Sequence, residues 1–223
     1  MRTLRVVGTG SEQGNCYILN CDGDKLIIDA GVKIDEIKKA LNWSLKDVSA
    51  CIVSHEHGDH TRSVKELRKL GIRVFTPYED PADQMCVRFG RYVIDTFKLP
   101  HNGTQNRGFL IRNMAFTMLY LTDFEFCGFY FKHIRPNVML VECNHTKADD
   151  EAANYAHVVL GHASLYVTKE FVRVNATENL TNVILCHLSD TNADPQLIRE
   201  HIESVVPPMT KVDIAEKGMV IEL

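Results

Sequence analysis

No two cysteines in this chain are spaced Cys-x-x-Cys. The seven present are scattered and odd in number: Cys16, Cys21, Cys51, Cys86, Cys127, Cys143 and Cys186. Most lie in apolar stretches, which excludes a disulfide framework and suits buried thiols in a reducing compartment. No apolar run approaches the length of a membrane span. Positive charge is not in excess either: 25 Lys and Arg face 29 Asp and Glu, a net charge of −4. That argues against a surface coated for nonspecific nucleic-acid binding while leaving room for a local basic groove. Repeats, low-complexity segments and linkers are absent. A Walker loop is missing too. Gly8-Thr9-Gly10-Ser11-Glu12-Gln13-Gly14-Asn15 is glycine-rich, but no Gly-Lys-Ser/Thr closes it and no helix pattern follows, so it reads as a hairpin connection. Met1 to Val7 is too short and too quickly followed by glycines to be a signal peptide. The expected location is the cytoplasm.

What is there suits one α/β domain over residues 1–223, with 45% hydrophobic residues to build a core. Strands are expected at Leu4 to Val7, Cys16 to Asn20, Lys25 to Asp29, Ala50 to Val53 and Arg73 to Thr76. Further strands are expected at Gln84 to Phe89, Tyr92 to Leu99, Phe109 to Ile111, Ala115 to Leu121, Val138 to Glu142 and Asn182 to Cys186. Lys211 to Ile214 and Met219 to Glu222 read as a final strand pair. Helical spacing marks Ile34 to Leu41, Arg62 to Leu70, Asp149 to His157 and Pro195 to Ser204.

The densest chemistry is Ser54-His55-Glu56-His57-Gly58-Asp59-His60, directly after the apolar run Ala50 to Val53. Imidazole nitrogen and carboxylate oxygen are ligands that suit zinc and its first-row neighbours. His55 and His57 are two apart, so an extended backbone points both to one side. Gly58 lets the chain turn and send Asp59 and His60 elsewhere. One pair per metal implies two metals. Further candidates stand at strand ends: His101 after Leu99-Pro100, Asp123 after Leu121-Thr122, and His187 after Ile184-Leu185-Cys186. Each alone would read as a turn cap or a locally bonded histidine. Together, downstream of this motif, they read as ligands.

These residues and their alternation resemble the metallo-β-lactamase superfamily, almost from end to end. The resemblance covers the Gly8 to Ser11 turn, Asp29-Ala30-Gly31, the His55 to His60 block, His101, Asp123 and His187. It implies an αββα four-layer sandwich with two metals at one edge between the sheets. It further implies that His55, His57 and His101 hold one metal, that Asp59, His60 and His187 hold the second, and that Asp123 bridges them. Asp29 would support the metal-binding loop through hydrogen bonds. Asn15-Cys16-Tyr17, Glu142-Cys143-Asn144-His145, Gly161-His162-Ala163-Ser164 and Cys186 to Asn192 look like the YycJ/WalJ branch, which implies exonuclease-like chemistry. Ala163 departs from that branch, which tends to have leucine there.

Two divalent cations, zinc or manganese with iron also suited to the ligands, would bring hydroxide to neutral pH and clamp a phosphoryl oxygen. Asp59 would orient the nucleophile as well as bind metal. His162, in a loop, is the candidate for protonating the leaving oxygen, with a structural histidine as the even alternative. Ser164 and, more weakly, His145 are candidates for substrate contact. Arg62, Lys65, Arg68, Lys69 and Arg73 form a basic run that reads first as a solvated helix face. Should they face the cleft, they would attract a polyanion. The leading expectation is a phosphodiesterase acting on nucleic acid, with single-stranded nucleic acid as partner and no membrane association. The alternative is a metal-dependent hydrolase of a small molecule: a cyclic nucleotide or other phosphodiester, a thioester or a lactone. A non-enzymatic metal binder is disfavoured by the complete ligand set.

Overall fold

The computed structural model describes residues 2–114, 116–147 and 155–223, apart from the side chain of His157. The first half builds one sheet. Strands β1 (Arg2–Gly8) and β2 (Cys16–Cys21) pair antiparallel through the glycine-rich turn, β3 (Asp24–Ile28) follows, and β4 (Val48–Ile52) and β5 (Val74–Phe75) continue parallel to it. Helix α1 (Ile34–Ala40) lies between β3 and β4. The helix expected over Arg62 to Leu70 is α3 (Val64–Lys69), and a short helix α2 (Gly58–Thr61), not expected, precedes it. The second sheet starts with the hairpin β6 (Cys86–Phe89) and β7 (Tyr92–Leu99), turning at Gly90 as expected. Strands β8 (Asn106–Asn113) and β9 (Phe116–Leu121) extend it, and β10 (Val138–Glu142), β11 (Asn182–Cys186) and β12 (Lys211–Ile214) continue it in parallel.

Helices α4 (Tyr155–Gly161), α5 (Leu165–Asn175) and α6 (Pro195–Glu203) fill the crossovers. Of the helix expected over Asp149 to His157, residues 149–154 lie outside the described residues. The expectation missed α5 altogether. Its buried stripe is Leu165, Thr168, Phe171, Val172 and Asn175, so two polar residues interrupt the apolar period. Both are satisfied inside the core: Thr168 Oγ1 donates to the Glu142 carbonyl, and Asn175 Oδ1 accepts from Phe131 N–H.

The expected final strand pair is also corrected. Strand β12 joins the second sheet beside β11, whereas β13 (Val220–Glu222) joins the first sheet antiparallel to β1. The chain between them crosses from sheet to sheet, with Ala215 N–H bonded to Leu185 O and Gly218 N–H to Val6 O. Each strand ends up buried against a different partner rather than against its sequence neighbour.

Strand alternation sends side chains to three apolar layers. Leu4, Leu19, Ile28, Ile94, Phe109 and Leu140 meet between the sheets. Ile18, Ile27 and Cys51 face Ile37 and Leu67 of the helices outside the first sheet. Leu119, Val141 and Val183 face Phe171, Ile198 and Ile202 outside the second. The architecture is therefore helix, sheet, sheet, helix. Parallel strands covered on both faces explain why Val138 to Val141 is continuously apolar. Those parallel runs also bring the carboxyl ends of β3 and β4, and of β9, β10 and β11, to common edges.

Gly31 shows how tightly that edge is packed. A Cβ there would stand 1.6 Å from the Asp59 carbonyl oxygen. Asn15 N–H already reaches the same oxygen at 2.7 Å. Gly31→Ala is therefore expected to destabilise the fold by about 2 kcal/mol or more, as overpacking does. Urea unfolding of the two proteins measures it, and an unchanged midpoint would contradict the close packing.

Candidate metal centre

Asp29 organises the centre from beneath. It follows β3 in a left-handed conformation, with φ of 55°. Its buried carboxylate accepts from Ser54 N–H at 2.7 Å, Ser54 Oγ at 3.0 Å, His60 Nδ1 at 2.7 Å and Tyr120 Oη at 2.5 Å. The loop carrying His55 to His60 is thereby pinned at both ends. Asp123 and His187 also leave their strands in the left-handed region, with φ of 51° and 53°. Such conformations cost energy in residues other than glycine and recur where function demands an exact side-chain direction.

The candidate ligands converge from four segments. His55, His57 and His101 form one group, and Asp59, His60 and His187 another, the ligand atoms within each group lying within 4.8 Å of one another. Asp123 lies between them: it groups with His55 and His60 on one side and with His187 on the other. His55 Nε2 is 3.0 Å from His57 Nδ1, and His101 Nε2 is 3.2 Å from the same atom. His60 Nε2 lies 3.0 Å from Asp123 Oδ2. All seven residues singled out from the sequence as ligands are thus brought together.

Three imidazoles are held from behind so that Nε2 turns inward. His101 Nδ1 donates to Gly161 O at 2.6 Å, His60 Nδ1 to Asp29, and His187 Nδ1 lies 3.1 Å from Glu142 Oε1. Backing an imidazole with an oxygen acceptor fixes its tautomer and leaves the other nitrogen for a cation. His187 Nε2 is buried and has no hydrogen-bond partner, with the nearest carboxylate oxygens of Asp59 and Asp123 at 3.5 Å. A buried polar atom without a partner is costly, and a cation between these groups would remove the cost. The donor set of imidazole and carboxylate fits a divalent first-row metal.

The electrostatics point the same way. Burial holds His55 and His101 below the ordinary histidine value, so both are neutral and ready to donate a lone pair. Burial would also lower His60 and His187, but the surrounding carboxylates outweigh it, Asp29 and Asp123 for His60 and Asp123, Asp59 and Glu142 for His187. His60 is raised well above its usual value and His187 to about 10. Burial would raise the Asp59 carboxyl, yet the neighbouring imidazoles of His187 and His60 keep it far below the usual carboxylate range.

Residues 9–74 match the family model described as the metallo-beta-lactamase superfamily. Over 99% of this chain and 98% of the other, the fold superposes on the metallo-beta-lactamase fold protein YhfI from Bacillus subtilis, with a TM-score of 0.74 and 16% identity. The chain has the metallo-β-lactamase fold, and its first third matches that superfamily's model. Among curated relatives, the exodeoxyribonuclease YycJ of Bacillus anthracis is 22% identical across 90% of this chain and 88% of its own length. The exodeoxyribonuclease WalJ of Streptococcus pneumoniae is 24% identical across 84% of this chain and 81% of its own.

The site also carries groups whose part was not assigned from the sequence. Glu142, at the end of β10, is fully buried. Its Oε2 accepts from Phe124 N–H and Ala163 N–H, both at 3.1 Å, and its Oε1 faces His162 Nδ1 at 2.7 Å as well as His187. The signal was a carboxylate closing an otherwise apolar strand. Asn15 is the second: its Nδ2 lies 3.0 Å from His60 Nε2 and 3.3 Å from Asp59 Oδ2. His162 stands at the cluster, 3.3 Å from Asp123 Oδ1. Ser164 and His145 stand behind it. Ser164 Oγ caps α5 by accepting from Val167 N–H at 3.3 Å, and the His145 carbonyl accepts from Leu165 N–H. The basic run stays on the outside: Arg62, Lys65, Arg68 and Lys69 are exposed, and Arg73 lies over the Phe89 ring.

Two outcomes are expected. Asp123→Ala loses metal retention and activity together, and a variant with wild-type metal content and rate would sink the bridging assignment. Protonated His60 and His187 support the metal-free fold, and that support disappears as pH rises through their elevated pKa values. Metal must displace those protons, so affinity should climb from about pH 6 to about pH 9 with release of about two protons at neutrality. Calorimetry in buffers of different ionisation enthalpy counts them, and pH-independent binding would contradict the assignment.

Proposed function

We propose that this hydrolase cleaves phosphodiester bonds in nucleic acid from an end. His55, His57 and His101 would hold one divalent cation, Asp59, His60 and His187 the other, with Asp123 between. Bound there, such cations would lower the pKa of water and neutralise charge on a phosphoryl group. The observation that carries the reading is His162, set beside the ligand cluster with Glu142 behind it. Burial would lower its pKa, but Glu142 and Asp123 outweigh burial and raise it. With Nδ1 directed to Glu142, the imidazolium holds its second proton on Nε2 and can pass it to the departing oxygen. Asp59, ionised throughout the working range, accepts a hydrogen bond from the attacking water and orients it. A poised acid beside a dinuclear ligand set serves alkoxide leaving groups, which phosphodiesters release. The full-length likeness to two proteins named exodeoxyribonucleases supports the same class.

The test is cleavage by metal-loaded protein, in manganese or zinc, of end-labelled single-stranded DNA and RNA, bis-p-nitrophenyl phosphate and cyclic mononucleotides, with Asp59→Ala as the blank. Stepwise shortening of an oligonucleotide is expected. Hydrolysis of the small diesters alone would place the protein among small-molecule hydrolases. His162→Ala should keep its metal and slow cleavage by about 10²- to 10⁴-fold. Because the acid must be protonated, the rate falls as pH rises past its raised pKa. Glu142→Gln should therefore move that alkaline limb to lower pH, and an unmoved limb would separate Glu142 from the proton.

A further inference from the structure

A groove of about 600 Å³ opens beside His101 and follows the loop from Asn102 to Gln105 toward the β7–β8 hairpin. Its near end touches the ligand cluster, since Thr104 Oγ1 lies 3.5 Å from His57 Nε2. At its far end stand two cations, Lys98 and Arg107, both among the lining residues. They are register partners across β7 and β8, so their side chains leave the same face of the hairpin. Lys98 precedes His101 by three residues, roughly 10 Å of extended strand.

Arg107 is unusual among charged groups here. It is only 1% exposed and has no carboxylate on its guanidinium. Nη2 donates to two neutral backbone carbonyls, Asp80 O at 2.9 Å and Ala82 O at 3.1 Å. Nε and Nη1 are buried with no hydrogen-bond partner. Asp83 and Asp80 act on this guanidinium only through space. Burying a cation with no carboxylate hydrogen-bonded to it is expensive, so its place at a groove marks a site for an anion. Lys98 is better provided, but its partner Asp83 is largely exposed. The stretch Asp80 to Gln84, which supplies every one of these partners, is exposed throughout. Neutral carbonyls compete poorly with a phosphate for a guanidinium, because charge-assisted hydrogen bonds are about twice as strong.

We infer that the groove running from His101 to Lys98 and Arg107 is a second binding site, taking a backbone phosphate of the polynucleotide away from the bond being cut. The inference rests on the phosphodiesterase reading above and deepens it: the preferred substrate is a chain of several nucleotides rather than a single diester. It also gives an acidic protein a local foothold for a polyanion, in a groove lined by two cations and the one carboxylate of Glu125. The exposed run from Arg62 to Lys69 is not required.

The test compares metal-loaded wild type, Lys98→Met, Arg107→Lys and the double variant on single-stranded oligonucleotides and on bis-p-nitrophenyl phosphate. Loss of kcat/KM on oligonucleotides about tenfold beyond any loss on the small diester, carried mainly by KM, is expected. The salt slope of oligonucleotide affinity should fall by about one for each contact removed. Equal losses on both substrates would overturn the inference and leave Arg107 as a brace for the Asp80 segment. A second measurement needs no variant. Oligonucleotides with one neutral methylphosphonate, walked away from the cleaved bond, should bind wild type more weakly at one or two positions. A scan with no sensitive position would overturn the site even if cleavage is normal. Small-diester hydrolysis with no oligonucleotide cleavage would instead sink the nuclease reading itself.

Discussion

One carboxylate holds the site together. Asp29 takes hydrogen bonds from the backbone and hydroxyl of Ser54, from His60 and from Tyr120. Tyr120 belongs to the second sheet, while Asp29 and Ser54 belong to the first. The same oxygen atoms therefore fix the histidine loop, set the His60 tautomer and join the two sheets at the edge where the ligands meet. A buried carboxylate is tolerable only when so fully partnered, and removing any donor leaves charge uncompensated. Asp29 touches no substrate, yet the positions of its dependants follow from it.

The edge is expensive in other ways. Asp29, Asp123 and His187 are left-handed, and His55, His60, Asp123, Glu142 and His187 are polar groups in the interior. Three apolar layers offset that cost elsewhere in the molecule. The packing also makes the site rigid. Thr9 Oγ1 accepts from His187 N–H and from Tyr17 Oη, tying the glycine-rich turn of the first sheet to the last candidate ligand on the second. A centre assembled from strand ends of two sheets keeps its geometry only if both sheets are locked in register.

Charge is sorted within the site by its neighbours. Carboxylates raise His60, His162 and His187, whereas His55 and His101 stay neutral through burial. Glu142 spans both roles: one oxygen faces His162 and His187, and the other is saturated by two backbone N–H groups. It links the residue proposed to move a proton with a residue proposed to hold metal. The proposed phosphate site stands apart from this chemistry, in a groove whose cations come from β7 and β8.

Much of the centre was legible locally. His55, His57, Asp59 and His60 lie within six residues, and His101, Asp123 and His187 each close an apolar run, so spacing and strand ends betrayed them. Strands buried on both faces declared themselves as continuous apolar stretches. Helix α5 did not, because Thr168 and Asn175 occupy its core face, each satisfied by partners remote in the chain. The same limit hid Glu142, whose importance lies in contacts to residues 18 to 45 positions away. It also hid Arg107, which in sequence is only one basic residue in a strand. By itself, then, the sequence determined the candidate ligand set, the strand order along the chain and the α/β class, since these rest on local pattern. Only the tertiary structure decided that β12 and β13 part to opposite sheets, that Glu142 stands behind His162, and that Arg107 is a buried cation with no carboxylate hydrogen-bonded to it. Those depend on which distant groups a side chain meets, and burial and pairing are properties of the folded surroundings rather than of the residue.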